Sequence, residues 1–552
     1  VRISGAQIIV ECLKEQGVDT VFGYPGGTIL PLYDALRDTP IRHILTAHEQ
    51  GAAPAADGDA RASGRGGGCS ATSGPGATNL VTGLAAAFMD SVPVVAITGQ
   101  VPTALIGRDA FQEIDITGIT MPVTKHNFLV KDPAKLAETL RHAFRIAASG
   151  RPGPVLVDVP RDVQTSEVLF EPAAGPAKMP VALAGAVLDR IEAAAAAIAR
   201  ARRPVIIVGG GAITAESQAE LVLLAEKTAS PVVSTLMGLG AFPASHPLFL
   251  GLTGMHGHKP ANNAVHAADL IIAVGSRFSD RVTGDRAKYA AGKTVIHLDV
   301  DPAEIDKNVA ARIGLTGDLK TILGLLTARL AGGGDPAWRE KIAAWQAEYS
   351  PRPSGDRLTA PGLIAEIADQ TAGVDCIFAT DVGQHQMWAA QHLKIETPRT
   401  WLTSGGLGAM GYGLPAAIGA QFAAPGKRVV HIAGDGGFRM TGAELATVAA
   451  HSLPIISVIV DNSGLGMIRQ LQHAFFAKRY TACELPVVDF TLFAAAFGIP
   501  ATRADTPAAF AAAFAAALQD PGPRVIVAAI AAEDLVTPMV PPGAAINAYL
   551  DI

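Results

Sequence analysis

Cysteine is scarce in this chain. Four occur in 552 residues, at Cys12, Cys69, Cys376 and Cys483, far apart and with no CxxC spacing. That pattern argues against a disulfide framework or a zinc site and points to four reduced, mostly buried thiols in a cytoplasmic protein. Aromatic residues reach only 5% and charged residues 17%. Basic blocks are missing: 44 Lys and Arg against 50 Asp and Glu give a net charge of −6. Without a concentrated phosphate-neutralising patch, nucleic acid is not an expected partner. No apolar run approaches the ~18 residues of a membrane span, since PVVAIT and LIIAVG are only strand-length. The opening VRISGAQIIVECLKEQGVDTVFGYP reads as an amphipathic helix and then a strand, with neither the charged start nor the cleavage site of a signal peptide.

Glycine (58) and proline (37) are plentiful, and 49% of residues are hydrophobic. The chain is too apolar for disorder and too rich in helix breakers for a bundle, which leaves α/β architecture. Three blocks alternate short apolar runs with helical stretches. The first spans 1–170 and includes VFGYPGG, GGCSATSGPG and SVPVVAITGQ. The Pro- and Ala-rich FEPAAGPAKMPVAL separates it from the second, 184–331, with RPVIIVGGGA, AADLIIAVGSRF and KTVIHLDVD. A break at AGGGDPAW and a helical connector ending in SPRPSGD lead to the third, 358–535, followed by a tail, 536–552. The grammar is βαβ throughout, without a visible short repeat. It predicts three doubly wound parallel-sheet domains in series, with ligands at the carboxyl ends of strands.

The strongest chemical signal is RVVHIAGDGGF, which places Asp435 just beyond a buried strand between Gly434 and Gly436. The next strand-like run, LPIISVIVDN, delivers Asn462. Two consecutive parallel strands would bring both side chains to one sheet edge. A carboxylate and an amide oxygen are hard ligands suited to magnesium, which diphosphate oxygens can also hold, and glycines let backbone N–H groups approach those oxygens. The alternative is a βα turn that uses Asp and Gly only for its geometry. In block one, Glu49 of ILTAHEQGA is on its own an ordinary solvated charge.

Taken as a unit, GDG followed by Asp461-Asn462 is similar to the thiamine-diphosphate motif, which often ends in two asparagines. From about Ile3 to Asp551 the chain resembles the catalytic subunits of acetohydroxyacid synthases (acetolactate synthases). The resemblance rests on FGYPGGTILPLYDAL, HEQGAAPAADGDARASG, TSGPGATNLVTGLAAAFMDSVPVVAITGQVP, IGRDAFQE, TLMGLGAFP, GMHG, TSGGLGAMGYGLPAAIGA and TPMVPPGAA. It implies a pyrimidine-binding first domain, a middle FAD-binding domain and a diphosphate-binding third domain. It also implies magnesium at Asp435, Asn462 and the Gly464 carbonyl, and Glu49 as the carboxylate that drives cofactor tautomerisation. Further implied thiamine contacts are Gln384, His385, Gly408, Gly436, Gly437 and Met467, with Met410 propping the cofactor. Gln112, Phe111, Gly27 and Lys125 match positions near the reacting keto acid. FAD would meet Arg151, Gly210, Thr235, Leu236, Met237, Gly254, His256, Gly275, Arg277, Asp299 and Asp301, although related middle domains bind ADP or nothing. Leu471 stands where these enzymes commonly carry a Trp linked to preference for 2-oxobutanoate.

The implied reaction decarboxylates pyruvate and joins the two-carbon unit to a second 2-keto acid, giving 2-acetolactate or 2-aceto-2-hydroxybutyrate, the first common step toward branched-chain amino acids. A homodimer or tetramer, with its site shared between chains, and a small regulatory subunit are compatible with the resemblance. Rival readings are another thiamine-dependent decarboxylase or carboligase and a non-catalytic nucleotide-binding relative. Glu49 argues against glyoxylate carboligase, whose pattern has an apolar residue there.

Overall fold

The computed structural model describes residues 1–175, 185–349 and 357–551. Most of the linker FEPAAGPAKMPVAL and the SPRPSGD segment therefore lie outside the described residues. Three six-stranded parallel sheets are present, as the alternation of apolar runs and helices predicts. The buried strands carry near-continuous Val, Ile and Ala because helices cover both faces. Val94–Gln100 and Val155–Pro160, for example, are buried at every position.

The first sheet runs Arg42–Leu45, Thr20–Tyr24, Gly67–Ala71, Val94–Gln100, Val155–Pro160, His126–Leu129. The third runs Trp401–Leu402, Cys376–Thr380, Arg428–Gly434, Ile455–Asp461, Arg524–Ala529, Ala501–Ala504. Numbered in chain order within each sheet, both have the order 2-1-3-4-6-5. The first and third domains thus share one topology, although no sequence repeat announces it. The middle sheet differs, with the order 3-2-1-4-5-6 built outward from Pro204–Val208 and Leu270–Val274. That is the strand order of dinucleotide-binding folds.

The first and third domains pack through the helices Glu49–Ser63 and Gly413–Ala423. Small residues make this close approach possible. A Cβ on Gly58 would lie 2.8 Å from the Ala416 carbonyl carbon, and one on Gly419 would collide with the Ala55 backbone. The resulting apolar cluster is continuous across both domains, from Phe22 and Leu84 to Leu414 and Phe438. The connector helix Pro336–Glu348 joins the middle domain, where Trp338 Nε1 donates to the Pro204 carbonyl at 3.2 Å. The C-terminal tail packs back on the molecule: Val536 enters the third domain's core and Ile546 the middle domain's, and Val540 N donates to Met255 O at 2.8 Å. All four cysteines are buried and unpaired. Among the described residues no helix is long and apolar enough to cross a membrane.

Candidate active site

In the third domain the strand order reverses between Cys376–Thr380 and Arg428–Gly434, opening a crevice at their carboxyl ends. The segments that leave those ends carry Gln384 with His385 and Asp435 with Gly437. Arg428–Gly434 and Ile455–Asp461 are neighbours in parallel register, with Gly434 opposite Val460. Asp435 and Asn462 therefore emerge side by side.

Asp435 begins the helix Asp435–Thr441 and is buried, and its Oδ2 has no hydrogen-bond partner. Burial, with Asp461 nearby, pushes its carboxyl up to about 7. A buried carboxylate oxygen without a partner is costly unless a cation or donor joins it. A divalent cation beside Asn462 and a main-chain carbonyl suits this donor set. The Gly464 carbonyl accepts from Gly466 N at 3.0 Å, which leaves its second lone pair free. At Gly436 a Cβ would fall 2.7 Å from Leu465 and 3.6 Å from the Met410 methyl group, so Met410 and the turn at Gly436 are neighbours. Gly437 lies against Asp381, whose carboxyl a Cβ would meet at 2.7 Å. Gly408 has φ +72°, a conformation that glycine adopts without strain. His385 is buried, with its imidazole lowered to about 4 by desolvation and its Nε2 unpartnered. A neutral ring with one nitrogen to satisfy suits a ligand atom in the crevice.

Two residues expected to meet the cofactor make contacts within the protein. Gln384 Nε2 donates to Gln470 Oε1 at 2.8 Å and to Asp534 O at 3.0 Å, while its Oε1 accepts from Asn462 Nδ2 at 3.3 Å. Both its N–H groups are thus committed within the protein, so it orients Asn462. Met467 is half-buried against the apolar cluster that contains Trp388 and Val536. Gln470, not foreseen in the sequence, fixes the register of the helix Gly466–Phe475 by exchanging hydrogen bonds with Val536 at 2.8 and 3.0 Å. Leu471 follows it and is half-buried.

The first domain gathers a second group. Glu49 opens the helix Glu49–Ser63, with His48 as its cap, and accepts from Asn79 Nδ2 at 3.1 Å. A Cβ on Gly76 would lie 3.2 Å from Glu49 Oε1, and one on Gly74 2.9 Å from Gln112. The loop 74–76 therefore links Glu49 to Gln112, whose own φ is +60°. Gly27 faces open space, and Phe111 is 88% exposed. Lys125 is placed elsewhere. Its ammonium donates to the carbonyls of Ile146 and Ser149 at 2.5 and 2.7 Å, at the end of the helix Leu136–Ala148, and burial lowers its pKa. It caps that helix and is not part of the Glu49 group. Glu444 was also missed: it accepts from Ala47 N at 3.0 Å and His48 N at 3.2 Å, although its own helix lies in the third domain.

The middle domain has its crevice between Pro204–Val208 and Leu270–Val274. Gly209 and Gly211 pack on the backbone of Gly275, which has φ +58°, so no side chain fills the turn. Gly210 lies 3.3 Å, as a virtual Cβ, from the Met237 Cβ, which brings the Thr235–Met237 turn to the same edge. The Leu236 carbonyl of that turn accepts from Trp401 Nε1 at 3.0 Å. Asn262, buried, fixes Gly254 by accepting from its N–H at 2.9 Å. His256 is buried with Nδ1 unpartnered. Asp299 ends the strand Thr294–Asp299 and is pushed up to about 6 by burial. Arg151 pairs with Glu304 at 2.6 Å and lies 3.9 Å from Asp301. Arg277 reaches away to the Met89 carbonyl at 2.6 Å. Dinucleotide strand order, open glycine turns and acidic strand ends fit a dinucleotide here.

Comparison with known proteins agrees with these three units. Residues 3–119 match the thiamine pyrophosphate enzyme N-terminal TPP-binding domain, 191–326 the central domain and 381–528 the C-terminal TPP-binding domain. The acetolactate synthase isozyme 2 large subunit of Escherichia coli (strain K12) is 47% identical over 552 residues, covering 100% of both chains. A probable acetolactate synthase large subunit of Methanocaldococcus jannaschii is 46% identical, over 98% of this chain and 94% of its own length. The isozyme 1 large subunit of Escherichia coli (strain K12) is 45% identical over 99% and 97%. With identity of this order over essentially the whole length and all three domain models matched, this chain belongs to the acetolactate synthase large-subunit family of thiamine pyrophosphate enzymes.

Proposed function

We propose that the protein makes 2-acetolactate from two molecules of pyruvate, and 2-aceto-2-hydroxybutyrate when 2-oxobutanoate is the second substrate. The observation that carries this reading is the buried, unpartnered Asp435 Oδ2 emerging beside Asn462 at the sheet crevice. Asp435, Asn462 and the Gly464 carbonyl would hold Mg2+. The backbone at Gly436 and Gly437, with His385, would receive the diphosphate, and Met410 would pack against the cofactor. Thiamine diphosphate, when bound, supplies a nucleophilic carbon and an electron sink for decarboxylation and carbon–carbon bond formation. Glu49 would face the aminopyrimidine ring nitrogen and move a proton there, a general acid–base task. Gln112 and Gly27 flank the space a keto acid would enter, and Phe111 would help to exclude water.

Glu49 and Asp435 belong to different halves of the site, and we assign them to facing chains of a dimer. The exposed apolar side chains Phe111 and Val487, at 88% and 90%, are what a second copy would cover. The middle domain would carry FAD, with Arg151, Thr235, His256, Asp299 and Asp301 around it. Four buried thiols support a cytoplasmic setting. The relatives' designation as large subunits supports a small regulatory partner.

The test is Asp435→Ala. The variant should lose magnesium-dependent retention of thiamine diphosphate and keep FAD in the purified protein. Unchanged thiamine affinity in a fluorescence titration would overturn the assignment.

A further inference from the structure

Asp90 is the last residue of the helix Val81–Asp90 and its side chain is fully buried. Local chemistry disfavours it there, since a carboxylate at a helix C-terminus faces the negative end of the helix dipole. Two of its three partners lie in another domain. Asp90 Oδ1 accepts from Gly406 N at 2.7 Å, and Oδ2 accepts from Gly405 N at 3.0 Å and from Arg61 Nη2 at 3.0 Å. Arg61 in turn donates to the Thr403 carbonyl at 3.1 Å and to Asp57 at 2.6 Å. The loop that follows contains Gly408 and Met410, and its far end is held by a second buried carboxylate, Asp381, which accepts from Gly411 N at 2.9 and 3.0 Å. Between these anchors only the Ser404 hydroxyl, accepting from Ala409 N at 3.1 Å, braces the loop internally. The middle domain meets the same point: Met237 packs on Gly405, and Arg277 donates to the carbonyl of Met89, the residue before Asp90.

We propose that Asp90 is a positioning residue for the thiamine-diphosphate site, fixing from the first domain the loop that sets Gly408 and Met410. This rests on the reading of that loop as the cofactor's support. Two backbone N–H groups and a guanidinium converge on one carboxylate that is otherwise misplaced on its helix. Charge-assisted bonds of this kind give the loop a defined height relative to Gly436, which the Met410 methyl group approaches.

The test titrates thiamine diphosphate, with Mg2+, into the full-length protein and its Asp90→Asn, Gly406→Ala, Tyr412→Phe and Asp435→Ala variants. It reads intrinsic fluorescence and the near-ultraviolet circular dichroism of the bound cofactor. Asp90→Asn places an amide N–H against a loop N–H and should weaken thiamine binding by roughly tenfold to a hundredfold, with an altered cofactor dichroism band. Gly406→Ala pushes the loop off from the other side, because its Cβ would sit 2.8 Å from Asp90 Oδ1, and should show the same signature even if Asp90→Asn folds poorly. Tyr412→Phe, which removes only the phenol bond to Asp57 in the same domain contact, should lower thermal stability without changing thiamine affinity or the band. Parental affinity and dichroism in Asp90→Asn and Gly406→Ala, with Asp435→Ala defective, would overturn the role of Asp90 and leave the site reading intact. Parental affinity in Asp435→Ala would overturn the site reading itself.

Discussion

The carboxylate of Glu444 closes the N-terminus of the helix that Glu49 opens, accepting from Ala47 N and His48 N across a separation of 397 and 396 residues. The third domain thereby sets the position of the first domain's proposed proton-transfer group within one chain. Glu444→Gln should keep the volume but present an N–H to donors. We expect kcat to fall by roughly tenfold while the Kd for thiamine diphosphate stays near its parental value. Steady-state kinetics beside a cofactor titration reads both, and equal losses in the two would assign Glu444 to general stability instead.

Glu49→Gln keeps the shape and its partnership with Asn79 but removes the negative charge. Turnover at saturating cofactor should fall by ~10²–10⁴-fold, the usual worth of general acid–base help. Thiamine should still bind. Near-parental turnover would leave Glu49 without the role proposed for it.

At Leu471, half-buried one residue past the register-fixing Gln470, a Trp would offer more apolar surface to the extra methyl group of 2-oxobutanoate. A methylene in such a pocket is worth ~1–3 kcal/mol of discrimination. Leu471→Trp should therefore raise the share of 2-aceto-2-hydroxybutyrate formed from an equimolar keto-acid mixture. An unchanged product ratio would remove this position from specificity.

Asp158, buried on the strand Val155–Pro160, accepts from Thr98 Oγ1 at 2.7 Å and Gln100 Nε2 at 2.9 Å, and Gln100 Nε2 also donates to Ile114 O at 2.8 Å. Burial raises its carboxyl from 3.8 to about 7. The folded state then holds a proton that the unfolded state releases, so this contribution to stability is complete below about pH 4 and is lost as pH rises through about 7. Asp158→Asn cannot ionise. Its melting temperature relative to the parent should climb by a few degrees between pH 4 and pH 7 and stay level above. Parallel melting profiles across that range would contradict the assignment.

The parallel α/β class was legible because each buried strand is a short Val/Ile run stopped by Gly, Pro or a polar residue. Strand order was not, since crossovers rather than local patterns decide it. The shared order of the first and third domains and the dinucleotide order of the middle one emerge only from the sheets. Asp435 and Asn462 could be placed together from sequence because consecutive parallel strands put them there. Glu444, Gln470 and Asp90 could not, because each acts through hydrogen bonds to residues remote in the chain. Motif matching also blurs tasks that hydrogen bonding separates. The Gln384 side-chain N–H groups bond Gln470 and Asp534, the Lys125 ammonium bonds helix-end carbonyls, and Met467 lies half-buried against a core cluster.

The most direct measurement incubates the purified protein, loaded with thiamine diphosphate, Mg2+ and FAD, with pyruvate plus 2-oxobutanoate and identifies the products. The account predicts carbon dioxide release with 2-acetolactate and 2-aceto-2-hydroxybutyrate as the carbon products. Release of carbon dioxide with acetaldehyde alone, or no thiamine-dependent consumption of pyruvate, would contradict it.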